Sequence, residues 1–184
     1  MTEKEKMHAG LVYDACNEEL LHDIQVTKDV IWRYNQIQPT HTEELQSVLR
    51  HLLGTYHDDC TVLQPFYCDY GYNIHLGHRV FCNFRLTVLD EAEVTIGDDA
   101  FIGPNVSMYT ACHSTDPVER NSRREWAKPI HIGKNCWIGG STTILPGVTI
   151  GDNCTIGAGS VVVHDIPANS IAVGNPCHVI RTIG

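Results

Sequence analysis

The chain has no pair of cysteines spaced C-x-x-C, although it holds 8, at positions 16, 60, 68, 82, 112, 136, 154 and 177. That absence argues against a zinc knuckle or a thioredoxin-type dithiol and leaves the thiols to be read as small buried hydrophobes. No run of eighteen apolar residues occurs, so no transmembrane helix is expected. The opening Met1-Thr-Glu-Lys-Glu-Lys lacks the apolar stretch of a secretory signal, which makes the cytoplasm the expected location. Basic residues are short as well: 13 Lys and Arg against 22 Asp and Glu give a formal charge of −9. Phosphate-backbone binding draws most of its affinity from Lys and Arg, so no nucleic-acid partner is expected. Aromatics are few, with 3 Trp and 4 Phe, yet 42% of the 184 residues are hydrophobic, enough for a core of aliphatic side chains.

What is present is periodicity, of two kinds. The first third reads as helical. Thr2 and Glu5 can form a capping box, opening a mixed segment that ends near Asn17. Residues 27–37 fit helix or loop equally. Pro39-Thr40-His41-Thr42-Glu43 offers a cap, after which Leu45, Val48, Leu49, Leu52 and Leu53 fall at helical spacing until Gly54 stops the run. Residues 1–57 are thus expected to form a helical cap whose apolar stripe buries against a body at 58–184.

From about residue 72 the period becomes six. Leu76, Cys82 and Val88 are followed by a slip of two residues, then Ile96, Ile102 and Met108. After an interruption the register resumes at Ile132 and runs through Ile138, Ile144, Ile150, Ile156 and Val162. Glycine follows many of these anchors, and small or β-branched residues such as Val80, Ala100, Thr142 and Ser160 come four positions after them. Short strands that turn a corner every six residues stack into coils, each with aliphatic side chains pointing inward and each pairing only with its neighbours. Gly, Asn and Asp at the corners accommodate backbone angles that bulky residues resist. The interruption, 109–131 (YTACHSTDPVERNSRREWAKPIH), is polar and off-register. A long excursion from a regular solenoid is expected to carry function.

The repeats and their flanks resemble the maltose and galactoside O-acetyltransferases of the hexapeptide-repeat acyltransferases. The matching stretches are Tyr13-Asp14-Ala15, Asn73-Ile74-His75-Leu76-Gly77, Asn83-Phe84, His113 with Asp116-Pro117-Val118-Glu119-Arg120-Asn121, Trp137-Ile138-Gly139-Gly140, Ile144-Leu145-Pro146-Gly147-Val148, and the closing Val173-Gly174-Asn175-Pro176. The resemblance implies a mainly β fold, a left-handed parallel β-helix with an N-terminal α-helical cap and a protruding loop. It also implies a homotrimer with active sites between subunits, acetyl-CoA as co-substrate, a sugar acceptor, and no metal.

By the same resemblance His113 is the general base. An imidazole can accept and return a proton near neutral pH. Asn83 would contact the sugar or the acetyl group, with a corner Asn as the alternative. Asp14 and Glu91 would contact the acceptor, the helical cap thereby helping to form its pocket; Asp90-Glu91 reads equally as a solvated surface pair. Gly140, Ala158 and Gly159 would let the pantetheine arm lie against backbone. Trp137 would pack at the thioester end or belong to the core, and Arg181 would meet a phosphate. The chain departs from the family pattern at three places. It reads His22-Asp23-Ile24 where the family carries a basic residue, and Phe81 where the family has an aromatic hydroxyl. It has Val163-His164, with His178 near the tail, in the coenzyme-phosphate region, where an imidazole carries charge only toward acid pH.

Three other readings share the repeat. One is an acetyltransferase for a drug, an amino-sugar or serine. Another is a zinc anhydrase, which needs three His ligands that the late repeats lack. The third is a non-catalytic binding solenoid.

Overall fold

The computed structural model describes residues 1–184. The capping box is formed: Thr2 Oγ1 accepts the Glu5 N–H at 3.1 Å and Glu5 Oε2 accepts the Thr2 N–H at 2.7 Å, opening helix α1 (Glu3–His8). Asn17 caps α2 (Glu18–Gln36) by accepting the Glu19 N–H. This helix takes in nearly all of residues 27–37, because Thr27, Ile31 and Tyr34 fall on one face and all three are buried. Helix α3 (Thr42–Leu52) begins at His41, which makes no side-chain capping bond, so the cap expected around 39–43 is absent. Its Leu49 and Leu52 are buried, and Leu45 and Val48 pack on the same core.

Helix α2 is fastened to the body by polar bonds as well as packing. Tyr34 Oη donates to the Val62 carbonyl at 2.6 Å, and Asn35 bonds both the Phe66 carbonyl (3.0 Å) and the Phe66 N–H (2.9 Å). These are long-range contacts in an otherwise coil-by-coil molecule.

The body is a parallel β-helix with three faces. The first face stacks Thr61–Val62, Phe81–Cys82, Phe101–Ile102, Trp137–Ile138, Thr155–Ile156 and Ser170–Val173. The second stacks Tyr67–Cys68, Thr87–Leu89, Ser107–Tyr109, Thr143–Ile144 and Val161–Val162. The third stacks Ile74–Leu76, Val94–Ile96, Ile130–Ile132 and Thr149–Ile150. Every inward anchor of the hexapeptide count joins one core cluster of 34 buried residues, and each coil hydrogen-bonds the next in parallel register. Burial on that scale is the main stabilising term of the fold.

Coiling begins at Thr61, more than ten residues before the six-residue count picks it up. The reason lies in the spacing of the anchors. Val62 to Cys68 is a step of six, but Cys68 to Leu76 is a step of eight, as is Val88 to Ile96. Both long steps turn from the second face to the third, and the excursion after Met108 leaves at that same turn. One corner of the prism therefore collects every departure from the period.

The other corners are tight. Asp99, Asn105, Asn135, Asn153 and Asn169 hold φ between 55° and 59°, the left-handed region that Asn and Asp tolerate best. Asn135 Nδ2 donates to Asn153 Oδ1 at 3.1 Å, and Asn153 Nδ2 to Asn169 Oδ1 at 2.8 Å, a ladder of amides along one edge. A Cβ on Gly97 would stand 2.6 Å from the Lys134 nitrogen, so the coils leave room there only for glycine. Of the cysteines, Cys16 is exposed and Cys112 half-buried, and the other six are buried. Burial pushes the Cys82 thiol up to about 12, which keeps it protonated and inert.

Candidate active site

The corner that collects the departures is built outward by the excursion. Ala111–His113 runs antiparallel to Arg124–Ala127, which pairs in turn with Tyr13–Asp14 from the N-terminal segment. Between the first two strands, Asp116 caps the short helix α4 (Pro117–Asn121), its Oδ1 accepting the Val118 N–H at 2.8 Å with Pro117 at the start. The register brings His113, Glu125 and Tyr13 into one cross-strand row. His113 Nδ1 lies 3.5 Å from Glu125 Oε2, and Tyr13 Oη donates to Glu125 Oε1 at 2.5 Å.

The three side chains differ in exposure. His113 is 54% exposed at the side chain and Glu125 only 12%. Tyr13 is buried, and burial, then its bond to Glu125, hold the phenol far above its usual range, so it stays a donor. Glu125 therefore has one oxygen committed to a fixed donor and the other facing the imidazole. The spacing-based reading missed Glu125 and Tyr13 as site residues, since only the antiparallel register makes them neighbours of His113.

Beneath this row lies a layer of acids. Asp90 and Glu91 are both buried rather than a solvated pair. Thr110 Oγ1 stands 2.8 Å from the Leu89 carbonyl and 3.1 Å from Glu91 Oε2, and accepts the Ala92 N–H at 2.9 Å. Burial, then the neighbouring Asp69 carboxylate, raise the Glu91 carboxyl so that it holds its proton at neutral pH. Asp69 is a third residue the sequence reading did not single out.

Asp90 has a structural part. Its Oδ1 accepts the N–H groups of Asp69 (3.0 Å) and Tyr70 (2.9 Å), while Oδ2 is buried without a partner. Burial raises this carboxyl to about 7. With the folded value above the unfolded one, the native state holds the extra proton between pH 4 and 7, and the associated stability is lost as pH rises through 7. Thermal denaturation is expected to show a midpoint falling by about 5 °C from pH 5 to pH 8. Asp90→Asn, which keeps the Oδ1 acceptor, should reduce that dependence, leaving the part that the raised Glu91 carboxyl contributes; an unchanged slope would assign it elsewhere.

Asp14 occupies the register position beside the His113 row, paired with Arg124, where side chains alternate to the opposite side of the ribbon. Its Oδ1 accepts the Cys16 N–H at 2.9 Å, and it borders a cavity of about 770 Å³ with Lys6, Asn17, Glu119 and Arg124.

The remaining candidates fall elsewhere. Asn83 follows the first face, as do Gly140, Ala158 and Gly159. They stack as a column along the corner between first and second faces. A Cβ on Gly103 would meet the Gly140 nitrogen at 2.6 Å, and one on Gly139 the Ala158 nitrogen at 2.5 Å. Asn83 Oδ1 accepts the Phe84 N–H at 2.7 Å, leaving its amide N–H groups free. Trp137 is 60% exposed on the first face, above Phe101, so the core reading of this Trp does not hold. Val163 and His164 follow the second face, on the His113 corner but coils away. His178 and Arg181 lie exposed on the tail strand His178–Thr182, antiparallel to Ser170–Val173. Within one chain, then, His113 and the column of small residues stand on different corners.

Coils of this period capped by helices define a hexapeptide-repeat transferase. Residues 129–164 match the bacterial transferase hexapeptide (six repeats) and residues 6–57 the maltose acetyltransferase hexapeptide capping motif. A Saccharomyces cerevisiae protein, YJL218W, assigned to the acetyltransferases, is 47% identical over 97% of this chain and 92% of its own. Among solved structures, a maltose O-acetyltransferase from Clostridium difficile 630 is 46% identical with a TM-score of 0.98, covering 100% of this chain and 98% of that one. A galactoside acetyltransferase in complex with coenzyme A is 39% identical with a TM-score of 0.95, covering 100% and 92%. The chain belongs to the maltose and galactoside O-acetyltransferase family, and its coils form the left-handed parallel β-helix of that family. It is an acetyltransferase.

Proposed function

We propose that the protein transfers an acetyl group from acetyl-CoA to a hydroxyl of a sugar, with His113 as general base. The observation that carries this reading is the His113–Glu125–Tyr13 row, set beside the buried Glu91 at the corner where the coils open. With Nδ1 facing Glu125, Nε2 presents its lone pair outward. It takes the proton of the acceptor hydroxyl as that oxygen attacks the thioester carbonyl. The tetrahedral oxyanion collapses, the C–S bond breaks, and the imidazolium returns the proton to the departing thiolate. Glu91 and Asp69 offer donors and acceptors to the sugar's other hydroxyls. Asp14, one register position along and across the ribbon, is assigned to the outer edge of the acceptor, so that the helical cap of residues 1–57 forms part of the acceptor pocket.

The coenzyme is assigned to the groove of small residues at Asn83, Gly140, Ala158 and Gly159, with Trp137 at the thioester end. Val163, His164, His178 and Arg181 are assigned to its distal end. Asn83 Nδ2 would donate to the oxyanion. Since the column of Asn83, Gly140, Ala158 and Gly159 and the His113 row occupy different corners of one prism, a complete site needs two copies, and threefold closure supplies three equal ones. Helix α2 lies against the start of the second face, and the interface between copies is assigned to the first and third faces. The exposed Phe101 and Trp137, stacked above the half-buried Phe81, would then be covered.

Two measurements test this. Thiol release from acetyl-CoA across a panel of sugars, amino-sugars, drugs and serine is expected to be fastest with a sugar hydroxyl; preference for a non-sugar acceptor would overturn the reading. Sedimentation should give a mass three times that of the chain, and an active monomer would remove the shared site.

A further inference from the structure

Above the acidic corner, α2 and the second face enclose a cavity of about 400 Å³. Trp32 and Tyr67 flank it, 69% and 47% exposed, large aromatic faces that nothing in the chain covers. Lys28, Asn35 and Gln36 stand around them on the helix side, Asp69 and Thr87 on the coil side. Ligand sites join apolar walls to a few converging polar groups in this way. The two kinds of surface also match one kind of ligand. A pyranose ring has a C–H face that lies against an aromatic plane and a rim of hydroxyls that seeks amides and carboxylates.

The cavity shares residues with the reaction corner. Asp69 lines it and is the residue whose carboxylate stands against Glu91. Leu89, also in the wall, is the residue whose carbonyl bonds Thr110. The cavity lies between α2 and the start of the second face, away from the first and third faces assigned to the interface between copies.

We propose that this cavity is a second-sugar subsite: Trp32 and Tyr67 stack the ring next to the one being acetylated, and Asp69 is shared between the two rings. The inference rests on the sugar-acetylating reading and adds a length preference to it. The acceptor that uses both sites is a disaccharide or a longer chain, whereas a monosaccharide fills only the inner one.

The test compares Trp32→Ala with the unaltered protein, using glucose, maltose and an alkyl glucoside as acceptors and thiol release as readout. Removing one aromatic stack should lower kcat/KM for maltose by about tenfold, chiefly through KM, and leave glucose within about twofold. Trp32→Tyr should restore most of the maltose rate. Trp32 is largely exposed, so the melting temperature should not move, and calorimetric titration of maltose reads binding independently of turnover. Equal effects on glucose and maltose, or a loss confined to the alkyl glucoside, would overturn the subsite. Absence of transfer to every sugar, with acetyl-CoA still bound, would instead overturn the proposed function.

Discussion

Replacing His113 by alanine is expected to lower kcat for acetyl transfer by about 10²–10⁴-fold, the range that general-base catalysis carries, with the assembly still folded. Both halves follow from the geometry. The imidazole is 54% exposed and its one close charged partner is Glu125. Glu125 keeps its bond from Tyr13 when the imidazole is gone, so no buried carboxylate is left without a donor. Substitution of an exposed side chain of this kind shifts stability by about 0.5 kcal/mol or less. Acetyl-CoA binding should persist, because the groove of small residues lies on a different corner of the prism. Steady-state kinetics with calorimetric titration of coenzyme A would check both halves. A variant that binds coenzyme and retains more than about a third of kcat would remove His113 from the base role.

Glu125→Gln is expected to cost about 10²-fold in kcat while leaving KM for acetyl-CoA unchanged, placing Glu125 as a positioning residue. The carboxylate accepts from Tyr13 Oη at 2.5 Å through Oε1, and Oε2 faces His113 Nδ1 at 3.5 Å. A carboxamide accepts on one side only. If its oxygen keeps the Tyr13 bond, its NH2 faces Nδ1 and favours the tautomer with the proton on Nε2, which cannot take the acceptor's proton. If the amide turns over, the buried Tyr13 hydroxyl loses its acceptor, at a cost of about 1–3 kcal/mol. The first arrangement depletes the competent tautomer, and the second keeps it only by breaking the buried Tyr13 bond. The ¹⁵N shifts of the His113 ring separate this from a general loosening, since they report which nitrogen is protonated. A lowered kcat with the wild-type tautomer intact would assign Glu125 to packing alone.

Much of the fold was legible in the residues. Ile132 to Val162 keep a six-residue register because each coil buries the same kind of side chain, a repetition one sequence can display by itself. Thr2 and Glu5 likewise announce the first helix, since a capping box is local. The start of coiling was not legible: Val62 and Cys68 fall out of count behind an eight-residue step. Helix α2 was half hidden for a related reason. Its Thr27 and Tyr34 are held by tertiary bonds to the Tyr70 and Val62 carbonyls, which no local pattern records.

The site divided along the same line. His113 stood out because it lies in the excursion that breaks a regular pattern and matches the family's catalytic His, while Asn83, Gly140 and Ala158 were implied by the family resemblance. Glu125 and Tyr13 did not, being 12 and 100 residues from His113 in sequence and adjacent only through antiparallel register. Glu91 could be read from the sequence as a surface acid, and burial beside Asp69 made it a neutral donor. The sequence by itself determined the period, the caps and the one long break, because those depend on residues near each other along the chain. The tertiary structure alone decided that the slips and the break share a corner, which carboxylate meets the imidazole, and which acids keep their protons. Those outcomes depend on pairing and desolvation between segments that the chain order keeps apart.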